Sequence, residues 1–98
     1  MILEKVRNIA LLFDFYGSML TQKQKEVVNL YVFNNLSFAE IAENTGTSRQ
    51  AVKDLLDRSI EILTNYENQL GFVNKYQQTK QLLINTDYYN NFIKIWEE

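Results

Sequence analysis

A glycine corner between two helical stretches constrains the fold of this chain more than any other feature. Residues 37–45 carry apolar side chains at three- and four-residue spacing, and the pattern is interrupted around Gly46. Ser37 and Glu40 form a capping-box pair at the start of this stretch. Glycine adopts positive φ at little cost, and Ser48 is a favourable N-cap for a following helix. The sequence therefore predicts a helix, a sharp turn at Gly46 and a second helix.

Small and apolar residues flank the corner at the offsets of a helix-turn-helix. Ala42 precedes Gly46, and Val52 and Leu55 follow it, which lets the two helices cross closely. We predict a helix-turn-helix over residues 37–58. Such a motif presents the start of its second helix to the major groove of DNA. The alternative is a helical hairpin that serves only as a compact way to pack two helices.

The start of the second helix carries the candidate nucleic-acid contacts, which are Ser48, Arg49, Gln50, Lys53 and Asp54. Arg49 can donate two hydrogen bonds to a guanine edge, and Gln50 can pair with adenine. Lys53 is better suited to a phosphate. Asp54 would repel the phosphate backbone of the nucleic acid or accept a hydrogen bond from a cytosine. The alternative is that Arg49 and Gln50 are solvated side chains of a first helical turn.

The charge of the chain argues against a dedicated nucleic-acid binder. Ten Lys and Arg residues face twelve Asp and Glu residues, for a net charge of −2. Proteins of that class usually carry a strongly positive face. Residues 37–58 do not supply one, because their basic residues Arg49, Lys53 and Arg58 are outnumbered by Glu40, Glu43, Asp54 and Asp57. Duplex DNA is therefore a secondary candidate partner.

Composition also limits the chemistry and the location that we expect. The chain has no cysteine and no histidine, which removes thiol catalysis, histidine bases and almost every structural zinc site. Three glycines form no phosphate-binding loop. We expect no catalytic residue, no metal and no cofactor. No apolar run reaches the roughly 18 to 20 residues of a membrane span, and no signal peptide is visible. The expectation is a cytoplasmic protein without membrane contact.

An all-α fold follows from the absence of proline and from the apolar periodicity. Two helices precede the helix-turn-helix, over about residues 2–17 and 21–34, and Thr21 with Gln24 is a capping-box pair at the start of the second. The second helix of the motif continues to Gly71, far beyond what a helix-turn-helix requires. We predict a single helical domain over residues 1–98, with a helical C-terminal extension over residues 59–98.

The long helix also carries a seam that is typical of helix pairing. Its apolar residues alternate four- and three-residue steps, as in a heptad, and an aromatic stripe continues after Gly71. Packing within the chain is the usual explanation of any single stripe. Several wide stripes on 98 residues nevertheless exceed what one monomer covers easily. We expect a homodimer whose interface draws on Leu56, Leu63, Tyr66, Leu70, Phe72 and Tyr76.

Five short motifs indicate a family. They are FDFYG (13–17), LTQKQK (20–25), LSFAEIAE (36–43), SRQAV (48–52) and YENQLGF (66–72). Together they resemble the YlxM family of small bacterial cytoplasmic proteins, whose helix-turn-helix is similar to region 4 of sigma factors. The resemblance implies a sigma-region-4-like domain with a long fourth helix. It also implies an accessory or regulatory role in the signal recognition particle pathway.

The chain departs from sigma region 4 at its recognition helix. Ala51, Asp54 and Asp57 stand where that pattern has basic or amide residues. Two functions therefore compete. One is an accessory factor that contacts the RNA or the GTPase subunit of the signal recognition particle, and the other is a transcription regulator that reads duplex DNA. A third is a protein-interaction module that binds no nucleic acid.

Overall fold

The structure, a computed structural model, describes residues 2–97, with side chains from residue 5 onward. Within this range the chain forms six α-helices and no strand. The helices are α1 (Ile2–Tyr16), α2 (Gln22–Val28), α3 (Phe38–Thr45), α4 (Arg49–Leu70), α5 (Phe72–Leu83) and α6 (Tyr89–Trp96). The predicted all-α class and the helix-turn-helix arrangement of α3 and α4 are confirmed.

Side-chain caps fix the starts of α2 and α3. The Thr21 hydroxyl accepts from the Gln24 N–H at 3.3 Å, and the Gln24 side chain accepts from the Thr21 N–H at 2.9 Å. Ser37 and Glu40 make the same reciprocal pair at 3.1 and 2.9 Å. Each pair satisfies two backbone N–H groups that the helix itself leaves without a partner. Both capping boxes predicted from the sequence are confirmed.

Glycines in the left-handed region end α3 and α4. Gly46 has φ 72° and Gly71 has φ 67°. A side chain at such a φ brings its Cβ against the backbone, so glycine is favoured there. The sharp turn predicted at Gly46 and the end of the long helix at Gly71 are both confirmed.

The helical segment predicted over about residues 21–34 extends to Phe33, but the sequence did not predict the form of its last turn. The helix widens into a π-helical turn over Asn29–Phe33, closed by a bond from the Asn34 N–H to the Asn29 carbonyl at 3.1 Å. Asn35 then takes φ 55°, the one non-glycine residue with positive φ in the described chain. Asparagine tolerates this conformation better than most residues. The turn therefore redirects the chain toward α3 without a glycine.

The heptad-like seam of α4 lies in the core of a single chain. Leu56 is 2% exposed and Leu63 is 0% exposed, and Val52 and Ser59 on the same face are also buried. Helices α1, α2 and α3 all pack against α4 and cover this face. This corrects the expectation that Leu56 and Leu63 belong to a dimer interface, because neither side chain reaches the surface.

The other residues expected at a dimer interface lie in different surroundings. Tyr66 is half-buried and stacks on Tyr16, with ring centroids 6.0 Å apart. Leu70 and Phe72 are exposed on either side of Gly71, and Tyr76 is half-buried on α5. These positions lie where the core ends and the last two helices begin.

Residues 71–97, named here the C-terminal arm, comprise α5 and α6 and attach through aromatic packing. The Tyr76 ring lies 5.4 Å from Phe15 of α1, 5.5 Å from Phe92 and 5.4 Å from Trp96. The molecule as a whole is elongated, with extents of 49 × 26 × 25 Å. None of the described helices combines the length and the apolar character needed to cross a bilayer.

Candidate nucleic-acid interface

The turn between α3 and α4 is held by local hydrogen bonds. The Thr47 N–H donates to the Ala42 carbonyl at 3.0 Å, and the Thr45 hydroxyl donates to the Ile41 carbonyl at 2.8 Å. The hydroxyl groups of Thr45 and Thr47 lie 3.1 Å apart, within hydrogen-bond distance. These bonds satisfy carbonyls at the end of α3 that would otherwise lack a partner. The direction in which α4 leaves the turn is thereby fixed.

Buried apolar residues set the crossing of α3 and α4. Ile41 and Ala42 of α3 are buried in the same cluster as Val52 of α4, and Leu55 packs against that cluster. The small side chain of Ala42 allows the helices to approach closely. Because this face of α4 is anchored, the face carrying the candidate contacts is turned toward solvent.

All five candidate contact residues are exposed at the start of α4. The Ser48 side chain accepts a hydrogen bond from the Ala51 N–H at 3.1 Å, so it acts as the N-cap of the helix. Arg49 and Gln50 occupy the first turn, and Lys53 lies in the next. The structure thus brings the five predicted residues onto one end of α4. Contact between these residues and a nucleic acid remains a prediction.

Two of the candidate contacts are engaged by acidic residues one turn further along. The Gln50 Nε2 donates to the Asp54 Oδ1 at 2.8 Å. Lys53 forms a salt bridge with Asp57, with Nζ 2.9 Å from Oδ2. Hydrogen bonding to Asp57, together with its charge, raises the pKa of Lys53, so the ammonium stays protonated. A nucleic acid that binds here has to compete with Asp54 and Asp57.

Arg49 differs from its neighbours in this respect. Among the described side chains, no carboxylate lies within 4.0 Å of its guanidinium. Its five donors are therefore available to an external acceptor. The i,i+4 spacing of the two engaged pairs is visible in the sequence, and that spacing would have singled out Arg49 beforehand.

A shallow cleft beside the turn was not predicted. It has a volume of about 340 Å³ and lies between α2 and the start of α4. Its lining residues are Lys23, Glu26, Val27, Thr45, Thr47, Ala51, Val52 and Leu55. Lys23 thereby joins the surroundings of the recognition helix. Only the packing of α2 on α4 brings Lys23 there, so no local sequence signal marks it.

The described residues include no group of three or more acidic side chains placed to bind a metal ion. The exposed start of α4 offers hydrogen-bond donors and charged side chains. In DNA-binding helix-turn-helix proteins the start of the second helix contacts base edges in the major groove.

Comparison with known proteins places the chain in a family. The family model described as "Putative helix-turn-helix protein, YlxM / p13 like" matches residues 3–95. The chain belongs to the UPF0122 family. That assignment confirms the resemblance seen in the short motifs and agrees with the helix-turn-helix of α3 and α4.

Individual UPF0122 proteins are similar over most of the chain. One from Symbiobacterium thermophilum is 48% identical over 81 residues, covering 83% of this chain and 76% of that protein. One from Desulforamulus reducens is 44% identical over 82 residues, covering 84% and 70%. One from Listeria innocua is 47% identical over 79 residues, covering 81% and 72%.

Proposed function

We propose that this UPF0122 protein is a regulatory helix-turn-helix protein of the signal recognition particle pathway. In this proposal it contacts the RNA of the particle through the start of α4. The observation that supports a nucleic-acid contact is which of three side chains at the start of α4 already bind a carboxylate. Gln50 and Lys53 are engaged by Asp54 and Asp57, while Arg49 has no carboxylate within 4.0 Å among the described side chains.

This pattern favours phosphate contact over base reading. Arg49 can grip a phosphate from the first turn of a helix, where the backbone N–H groups also favour an anion. Base reading needs Gln50 as well, and its amide is held by Asp54. A net charge of −2 leaves few other phosphate contacts, so affinity through this surface is weak and sensitive to salt.

The link to the targeting particle rests on the YlxM resemblance of the five motifs. Exposed apolar side chains outside residues 71–97, those of Met19, Phe33 and Leu70, give the protein a second means of contact, with the GTPase subunit. Those side chains do not depend on charge, so protein contact persists at salt concentrations that weaken contact with phosphates.

A transcription regulator is the second candidate. Arg49 and Gln50 are adjacent and exposed on the first turn of α4, the place from which a recognition helix reads base edges. For that function the Gln50 amide has to give up its hydrogen bond to Asp54 and form one with an adenine. Sequence-selective binding to duplex DNA is the property that distinguishes this candidate.

The proposed function is tested by titrating the protein against two targets at low and at physiological salt. One target is signal recognition particle RNA with its protein subunit, and the other is random duplex DNA. We expect tighter binding to the particle. Arg49→Ala should weaken the RNA contact about five- to fiftyfold at low salt, in line with loss of a charge-assisted contact.

The matched control is Arg58→Ala, which removes the same charge from an exposed position of the same helix. Position 58 lies nine residues on, about half a turn around the helix from position 49. Its replacement should change binding much less. Tight, sequence-selective duplex binding that Arg49→Ala abolishes, with no affinity for the particle, would establish the transcription regulator instead.

A further inference from the structure

The chain exposes more surface than a compact monomer of its mass. Its accessible area is 7211 Å², whereas folded monomers of 11.6 kDa typically expose about 5,800 Å². The excess is about 1,400 Å², roughly a quarter of the expected area. The radius of gyration is 15.5 Å, against about 12.6 Å for a compact chain of this length.

The exposed apolar side chains are concentrated on the C-terminal arm. Of the large apolar residues that are exposed in the described chain, six lie in this arm: Phe72, Leu82, Ile84, Tyr88, Ile95 and Trp96. Leu82 is 79% exposed and Ile95 is 76% exposed. Exposed apolar side chains concentrated in one segment typically mark an interaction site.

The arm itself is thinly anchored to the rest of the chain. Val73 and Phe92 are its only buried side chains among those described. Helix α6 packs on α5, and α5 packs on α1. Trp96 and Phe72 also pack on Phe15 and Tyr16 of α1, whereas Leu82, Tyr88 and Ile95 keep more than two thirds of their surface exposed in the described chain.

We propose that a second copy of this chain covers the C-terminal arm, forming a homodimer through α5 and α6. A permanent homodimer typically buries roughly 2,000 to 5,000 Å² in total, so each copy has to contribute at least about 1,000 Å², and the excess of about 1,400 Å² on this elongated chain exceeds that requirement. The surface is also nearly neutral, with Lys75, Lys80 and Lys94 against Asp87 and Glu97. Charge repulsion between two copies is therefore small.

This interface differs from the one that the heptad pattern predicts. The inward face of α4 is occupied by α1, α2 and α3, so the dimer relies on the arm alone. The start of α4 lies in another part of the chain and stays available to a nucleic acid. The dimer is independent of the proposed function, because it requires no RNA, DNA or targeting protein.

Sedimentation equilibrium of the pure full-length protein tests the proposal. We expect a mass twice the 11.6 kDa of one chain at a protein concentration of about 10 µM, typical of specific association. Leu82→Glu and Ile95→Glu should each weaken dimerisation about tenfold or more, because a charge then enters an apolar interface. Both residues are exposed in the single chain, so helix content should be unchanged.

The matched control is Met19→Glu. Met19 is also an exposed apolar residue, at 59%, but it lies between α1 and α2, outside the arm. Its replacement should leave the dimer intact. A wild-type protein that sediments as a monomer at this concentration, or a dimer that neither arm variant weakens, would overturn the proposal.

Discussion

At the scale of single residues, one carboxylate joins three helices. Glu67 near the end of α4 accepts from the Tyr16 hydroxyl at 2.6 Å and from the N–H groups of Val73 and Asn74 at 3.0 Å. The Tyr16 hydroxyl in turn accepts from the Phe72 N–H at 3.1 Å. Free N–H groups at the start of α5 are thereby satisfied. Two of the family-like motifs, FDFYG and YENQLGF, meet at this point.

Removing the Tyr16 hydroxyl should destabilise the fold. Tyr16 is buried, and Tyr16→Phe leaves the Phe72 N–H without its acceptor and removes one of the three donors to the Glu67 carboxylate. We expect a loss of about 1 to 3 kcal/mol in the free energy of unfolding, measured by urea denaturation. Tyr88→Phe is the control, because Tyr88 is exposed and should change stability by less than about 0.5 kcal/mol. Equal stability of both variants and the wild type would contradict the role of this hydroxyl.

Glu67 should also make stability depend on pH in the acid range. Burial raises the pKa of its carboxyl, but hydrogen bonds from Tyr16, Val73 and Asn74 outweigh burial and lower the pKa overall. A lowered folded pKa gives stabilisation that is present above the ordinary value of about 4.3 and lost as pH falls through the folded value. Unfolding free energies measured from about pH 6 down to pH 3 should therefore fall in the wild type.

Glu67→Gln should make this acid-range decline shallower, since an amide does not titrate. Glu61→Gln is the matched control, because Glu61 is exposed on the same helix and makes none of these bonds. A decline in Glu67→Gln as steep as that of the wild type would mean that other carboxylates account for it.

At the scale of secondary-structure elements, the turn at Gly46 depends on backbone conformation and not on space. A Cβ added at Gly46 meets no atom within 4 Å, yet φ is 72°. Left-handed φ costs a non-glycine residue about 1 to 2 kcal/mol, and asparagine less. The turn between α3 and α4 therefore depends on the ability of glycine to adopt a left-handed φ at position 46.

Replacement of Gly46 by valine and by asparagine tests this explanation. Gly46→Val should lower the free energy of unfolding by about 1 to 3 kcal/mol, because a β-branched residue strongly disfavours this φ. Gly46→Asn should cost clearly less, since asparagine ends helices in the same conformation. Chemical denaturation of both variants gives the comparison. Equal losses would point to a steric cause and contradict the open space around the position.

The acidic residues of α4 should restrain binding of nucleic acid. Asp57→Asn removes the salt-bridge partner of Lys53, which then becomes available to a phosphate. If the start of α4 contacts RNA, this change should strengthen binding at low salt, by a few-fold for one additional phosphate contact. Fluorescence titration against the targeting-particle RNA measures it. Glu61→Asn, one turn further along and exposed, is the charge-matched control.

At the scale of the whole molecule, stability is unevenly distributed. Helix α4 buries Val52, Leu56, Ser59 and Leu63, whereas α6 buries only Phe92 among the described residues. Elements with few buried contacts open locally at lower free energy than the global transition. A second copy that packs on the arm would stabilise α5 and α6 as a bound ligand does.

Amide hydrogen exchange should report this difference. In the Ile95→Glu variant, kept dilute, α6 amides should exchange faster than those in the middle of α4. In the wild type, protection of the arm should rise with protein concentration while protection of α4 stays constant. Arm protection that does not change with concentration would contradict a dimer built on α5 and α6.

The sequence by itself determined where α2, α3 and α4 begin and where α3 and α4 end. Capping boxes at Thr21 and Ser37, the N-cap Ser48 and the glycines at 46 and 71 act within four or five residues, so local chemistry suffices to predict them. The exposed start of α4 with Arg49 and Gln50 follows from the same local signals. The π-helical turn after α2 could not be predicted, since no residue type there specifies it.

Only the tertiary structure decided which apolar stripe is covered and which is not. The seam of Leu56 and Leu63 and the stripe of the C-terminal arm have similar spacing, yet α1, α2 and α3 bury the first while the second stays exposed. Periodicity gives the direction of a face but not the element opposite it, because that depends on how separate helices pack. The placement of Lys23 beside α4 and the junction of Tyr16 with Glu67 have the same origin, since both arise from contacts between residues distant in the chain.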